Sequence, residues 1–250
     1  MKNFIYFIEF IIITTLFLIF RIIGYKAATN FGFFIGKVFG PIFRSKKKIV
    51  ENIKSYKRSL KKNEIERIIK KMWGNYGRIL AEYPYISSFR NNKMEKYIQI
   101  EGRENLEKIK KNGKPVVFIS GHFNNFELMA MIIEREGIEL GAVYRPLNNK
   151  FLNVIMEYIR KKYICKNQIK KGLRGVKEAL SYFKNGKSLA IMIDQRVSEG
   201  VKIKFFGKDA FTTTIPAQFV KKFGCIIQPV HIERINDFYF KILFDSQFNF

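Results

Sequence analysis

The chain begins with an almost unbroken apolar stretch. Residues 4–20 carry one charge, Glu9, before Arg21 interrupts and Ile22, Ile23 and Gly24 follow. That length sits near the lower limit of about 17–25 residues for a spanning helix. A signal peptide is the competing reading. Lys2 supplies a basic start, but the apolar run is long for a signal core, and Lys26-Ala27-Ala28 is a poor cleavage site. A retained anchor over residues 1–25 is therefore expected. Glu9 leaves open a tilted or partly interfacial helix. The pattern then becomes amphipathic. Ile49, Ile53, Tyr56 and Leu60, then Ile65, Ile68, Ile69, Met72, Trp73 and Tyr76, recur at helical spacing among lysines and arginines. Ser45 and Asn63 are candidate N-caps. Residues 26–94 read as a basic, amphipathic helical region.

Beyond residue 95 the period changes again. Short apolar runs over 97–101, 115–119, 140–144, 189–193, 201–205, 226–232 and 239–244 read as strands. Between them, 103–111, 125–136, 150–162, 173–185 and 215–223 read as helices. Alternation of this kind predicts an α/β core over residues 95–250, with a mixed, mainly parallel sheet flanked by helices. Ligands of such sheets gather at the carboxyl ends of the strands.

Charge narrows the partners. There are 46 basic and 21 acidic residues, a formal net charge of +25. Anionic partners are implied: nucleic acid, an acidic protein or an anionic membrane surface. No recognisable nucleic-acid module accompanies the charge. Residues 44–78 hold 13 basic and 3 acidic positions. Next to an anchor, that density favours anionic lipid headgroups. The basic flank after the anchor places the rest of the chain on the cytoplasmic side. Cys165 and Cys225, with only two histidines scattered over the chain, make no metal-type cluster and read as reduced, buried thiols.

Candidate chemistry lies at three predicted strand ends. The run Val116-Val117-Phe118-Ile119-Ser120-Gly121 leads into His122, and Glu127 follows five positions on. Histidine is the usual general base near neutral pH, and a carboxylate can orient it. Spacing alone is weak, because a chain of this composition produces such a pair by chance about one time in six. The bland alternative is a satisfied turn histidine and a solvated glutamate. Arg145 follows the strand 140–144, just before Pro146, where the backbone is held extended. A guanidinium there can take a phosphate or carboxylate through two bonds. Asp194 and Gln195 follow the strand 189–193, and either is equally a turn cap. Thr213 or Thr214 is a predicted N-cap.

The ordered blocks GHFNNFE, YRPLNN, IDQR, FFGKDAFTT and IPAQFVKKFGCIIQPV, in their setting across roughly residues 5–245, resemble the late (lauroyl/myristoyl) acyltransferases of lipid A biosynthesis. These belong to the lysophospholipid acyltransferase-like superfamily, marked by a histidine, four residues and an acid. The resemblance implies acyl transfer from a thioester donor to a lipid hydroxyl, with His122 as general base and Glu127 fixing its tautomer. It implies Arg145 as a phosphate-binding residue, Asp194 and Gln195 in supporting roles, and Asn125 near the substrate. Exposed N–H groups by Asn124 and Asn125 become candidate oxyanion donors. No metal or bound cofactor is implied. The implied donor is acyl–acyl carrier protein, a small acidic partner suited to a basic surface. The implied acceptor is a lipid A precursor or a related glycolipid, met at the cytoplasmic face of the inner membrane. Family members are usually longer, with a further helical C-terminal region, whereas this chain stops at Phe250. His231, inside a strand, reads as structural, and Phe205, Phe206 and Phe211 read either as core or as an acyl groove.

Three other readings make different predictions. The same chemistry on another acceptor, a glycerophospholipid or a mannosylated glycolipid, would leave the motif unchanged. A noncatalytic, membrane-anchored polycation would be indifferent to His122. A hydrolase of the same lipids lacks its usual Gly-x-Ser-x-Gly elbow here.

Overall fold

The computed structural model describes residues 1–197 and 200–248. Among them are ten α-helices: α1 (Lys2–Ile23), α2 (Tyr25–Phe39), α3 (Lys46–Tyr56), α4 (Lys62–Glu82), α5 (Ile86–Arg90), α6 (Arg103–Asn112), α7 (Glu127–Arg135), α8 (Lys150–Ile159), α9 (Leu173–Lys184) and α10 (Ile215–Phe223). The strands are β1 (Ile98–Glu101), β2 (Val117–Ser120), β3 (Leu140–Tyr144), β4 (Asn167–Lys170), β5 (Ser188–Met192), β6 (Val201–Phe205), β7 (Lys208–Thr212), β8 (Ile227–Ile235) and β9 (Tyr239–Phe244). The chain divides into two compact units. One holds Met1–Phe10, Ile86–Val201 and Thr212–Phe250, and the other holds Ile11–Tyr85 and Lys202–Phe211.

The first unit is built on a seven-stranded sheet in the order β1-β9-β8-β2-β5-β3-β4. β8 and β9 run antiparallel, and every other neighbouring pair is parallel. The expected mixed, mainly parallel sheet flanked by helices is what the chain forms. Strands buried on both faces explain the near-continuous apolar runs at β2 and β5. Side chains alternate across the sheet. Leu189 and Ile191 pack with Ala179 and Phe183 of α9 and Phe219 of α10. Ala190 and Met192, between and beyond them, line a cavity that Ile191 also borders.

Two strands carry no signal in the hydrophobic pattern. β4 is a four-residue polar segment, Asn-Gln-Ile-Lys, in which only Ile169 is buried. Its strand character comes from pairing with β3 rather than from any apolar pattern. β7 falls within a stretch that reads as a loop. Phe206 at φ 49° and Gly207 at φ 74° both adopt the left-handed conformation, which makes a tight hairpin between β6 and β7.

The second unit is dominated by α2 lying against α4. Gly32, Gly36 and Gly40 recur every fourth residue, one face of a helix. A Cβ on Gly32 would run into the Gly77 carbonyl, and one on Gly36 into the Trp73 carbonyl. Small residues at this spacing let helix backbones approach closely. Ile49 of α3 packs with Ile65, Ile69 and Trp73 of α4. Ser45 stands at the N-cap of α3, without a side-chain hydrogen bond, whereas the start of α4 differs from the expectation. α4 starts at Lys62, ahead of Asn63, and the Glu64 carboxylate accepts a hydrogen bond from the Lys61 amide at 2.7 Å.

α1 is long and apolar enough to cross a membrane by length and composition. Its lone acid is accounted for. Asn149, 6% exposed, donates through Nδ2 to Glu9 Oε2 at 2.9 Å and to the Tyr6 carbonyl at 2.8 Å. The Asn149 Oδ1 atom accepts from the Phe151 and Leu152 amides and caps α8. One buried amide thus satisfies a helix start and the acid of the apolar helix at once.

Candidate active site

The register of β2 and β5 builds the centre of the site. Ser120 pairs with Met192, and the Ile193 amide donates to the Ser120 carbonyl at 2.9 Å. Two residues further along each parallel strand, His122 and Asp194 therefore stand side by side. His122 Nδ1 lies 2.7 Å from Asp194 Oδ1, and the His122 amide donates to Asp194 Oδ2 at 2.8 Å. Both carboxylate oxygens are engaged by the same residue, which fixes the ring relative to the acid. An ionised carboxylate only accepts, so in the neutral imidazole the proton resides on Nδ1 and the lone pair on Nε2. Gln195 Nε2 is 3.3 Å from that nitrogen. Phe126 braces the ring edge-on at 4.6 Å between centroids.

This arrangement corrects one expectation. The carboxylate on His122 Nδ1 is Asp194, whereas the resemblance gives the orienting role to Glu127. The loop after β2 explains the change. Asn124 takes φ 46°, and its side chain donates to the Ile232 carbonyl at 3.0 Å. α7 then starts at Glu127, whose side chain meets Arg160. Arg160 Nε and Nη2 both donate to Glu127 Oε1, at 3.0 and 2.6 Å. The two side chains are 12% and 7% exposed, so this is a buried, charge-assisted pair.

Arg160 opens a single π-helical turn, Arg160–Ile164, that continues α8. Such wide turns often re-aim a side chain at a functional site. The Arg160 guanidinium also lies 5.7 Å from the Tyr144 ring centre. Burial, and then the hydrogen bond to Glu157, hold the Tyr144 phenol well above its ordinary pKa. Tyr144 stays protonated and donates to Glu157 Oε1 at 2.7 Å.

His122 and Glu127 line a cavity of about 330 Å³. Its body is apolar because three alanines leave room there. Ala142 of β3 and Ala190 of β5 are register partners, and Ala130 of α7 also lines the space. Arg145, Gln195 and Lys171 line it too. The structure thus brings His122, Glu127, Arg145 and Gln195 to one cavity, with Asp194 bonded to His122. Asn125 is 0% exposed and is not among the lining residues. Arg160 and Lys171 have no signal in the sequence. Both sit in a lysine- and arginine-rich stretch in which the sequence singles out no one cation.

A histidine at a parallel strand end, bonded to a carboxylate and facing an apolar, cation-bordered cavity, is an arrangement chemically able to take a proton from a bound group. The chain matches the bacterial lipid A biosynthesis acyltransferase family over residues 1–250, and it belongs to that family. A curated relative, the lipid A biosynthesis acyltransferase of Haemophilus influenzae, is 21% identical over 153 residues, 60% of this chain and 47% of the relative. The chain therefore spans about half the length of that relative within the match. Among solved structures, the 1-acyl-sn-glycerophosphate acyltransferase PlsC of Thermotoga maritima matches with a TM-score of 0.40 and 15% identity, covering 92% of this chain and 87% of that one.

Proposed function

We propose that the chain is a membrane-associated O-acyltransferase. In this reading it moves a fatty acyl chain from acyl–acyl carrier protein to a hydroxyl of a lipid A precursor, at the cytoplasmic face of the inner membrane. The observation that carries the reading is the pair His122 Nδ1–Asp194 Oδ1 at 2.7 Å beside the apolar cavity. Family membership and the long apolar helix α1 support it.

The geometry suggests the following steps. The acceptor hydroxyl displaces the Gln195 amide from His122 Nε2 and donates its proton there as its oxygen attacks the thioester carbonyl. Asp194 stabilises the imidazolium that forms and keeps the other tautomer from competing. Collapse of the tetrahedral intermediate breaks the carbon–sulfur bond. The imidazolium returns its proton to the departing thiolate, leaving an ester and a free thiol. Glu127 acts by holding Arg160 in place at the cavity wall. The basic surface suits both an acidic carrier protein and anionic lipid.

The test is transfer of labelled acyl chains from acyl carrier protein to a tetra-acylated lipid A precursor in membranes containing the protein. Wild type is expected to add a chain, and His122→Ala to lose most of that rate. Activity untouched by His122→Ala would sink the general-base role. Transfer only to a glycerophospholipid would keep the mechanism and replace the acceptor.

A further inference from the structure

The cations around the cavity divide into two groups. Arg160 is neutralised by Glu127, and Lys170 by Glu157 at 3.3 Å. Arg145 and Lys171 meet no carboxylate among the described residues. Their placement follows from the strand register. β3 and β4 run parallel, with Tyr144 opposite Lys170, and the Lys171 amide extends the ladder by donating to the Tyr144 carbonyl at 2.8 Å. Arg145 and Lys171 are therefore the next opposed pair, one step beyond the strand ends, and both line the cavity that holds His122.

Like charges directly opposite on paired strands are destabilising. Two of them at a cavity edge, with Arg160 and Lys170 beside them compensated, leave a positive field that a bound anion would neutralise. A fork-shaped guanidinium beside a compact ammonium suits a phosphate in particular. α9 begins two residues after Lys171 and has no side-chain cap on its first turn, which adds to the same field.

We propose that Lys171 and Arg145 form a two-cation clamp for a substrate phosphate at the edge of the His122 cavity. The resemblance noted above assigns Arg145 alone; the strand register adds Lys171. Which molecule carries the phosphate rests on the acyl-transfer reading: the acceptor's phosphate, or the phosphodiester of the donor's pantetheine arm.

Two measurements on the full chain test this. The first needs no turnover. Inorganic phosphate at constant ionic strength is expected to slow amine-reactive labelling of Lys171 about fivefold against a chloride control. Lys170 serves as the internal reference, and Arg145→Ala removes the protection. The second is kinetic. Lys171→Glu is expected to raise KM for the phosphate-bearing substrate about tenfold with kcat changed less than about threefold, the pattern of lost ground-state binding. If the penalty disappears with a dephosphorylated acceptor, the acceptor supplies the phosphate. If it disappears with an acyl-N-acetylcysteamine donor, the pantetheine arm supplies it. Absence of protection, or a KM that Lys171→Glu leaves unmoved, overturns the clamp while leaving acyl transfer standing. Protection in a protein that transfers no acyl group leaves the clamp standing and removes the acyl-transfer reading.

Discussion

Small residues shape both the α2–α4 helix pair and the cavity beside His122, with opposite results. In the helix pair, Gly32, Gly36 and Gly77 let backbone meet backbone, so the missing side chains are replaced by the neighbouring helix. In the cavity, Ala130, Ala142 and Ala190 of α7, β3 and β5 border one space, and no neighbouring side chain takes it up. The first use converts small size into contact, the second into room. A residue's size is therefore uninformative until its opposite number is known, and that opposite number is set by register. Substitutions should separate the two regions: changes in the cavity alter rate, and changes in the helix pair alter stability.

The largest expected effect is on rate. His122→Ala should lower kcat by about 10³-fold, within the usual contribution of a positioned general base. Asp194→Asn should lower it by a similar order, because an amide no longer enforces the Nδ1-protonated tautomer. Both variants should unfold within about 0.5 kcal/mol of wild type, since neither side chain is deeply buried. The measurement is single-turnover acyl transfer beside thermal unfolding. A large loss of stability with either variant would place that residue in the fold rather than in the chemistry.

Glu127→Gln comes next and is the exception among the cavity residues, because its buried ion pair means its loss should be read in stability. It leaves Arg160 buried without its carboxylate, and breaking one side of a buried pair typically costs about 3–5 kcal/mol. Denaturant unfolding should show that loss. The double variant Glu127→Gln, Arg160→Met should recover part of it. A stability unchanged by Glu127→Gln, with activity lost, would return Glu127 to a direct role at the reacting atoms.

That contrast bears on how much could be read from the chain alone. The sheet was legible because apolar runs at β2, β3 and β5 alternate with helical periods. The strand ends at His122, Arg145 and Asp194 were legible for the same reason. The partner of His122 was not, because local spacing points to Glu127, while the bond at Nδ1 depends on how β2 and β5 are registered. β4 was invisible because only Ile169 among its four residues is buried. Arg160 and Lys171 were hidden among surface cations, where sequence gives no sign of which are compensated. The four-residue glycine spacing of α2 was present in the chain, but its meaning required the opposing Gly77.

Gly77→Ala tests the close-packed region. In an ordinary exposed helix position this change stabilises by about 1 kcal/mol. Here the new Cβ would run into the Gly32 carbonyl, a backbone group that has no rotamer to turn aside. Overpacking of this kind costs roughly 1–3 kcal/mol. The sign is the test. Urea unfolding should show a lower midpoint for Gly77→Ala than for wild type, and a higher midpoint would mean that α2 and α4 are free to separate.

The smallest effect should come from filling the open region. Ala142→Val adds two methyl groups where the cavity has room, so strain should be slight and stability should stay within about 1 kcal/mol of wild type. If the cavity takes the acyl chain, rates with long donors should fall several-fold relative to short ones, since one methylene in an apolar pocket is worth about 1–3 kcal/mol. Competition between donors of different length reads this directly. An unchanged preference would mean the chain lies elsewhere, and the three alanines would then be space that the reaction does not use.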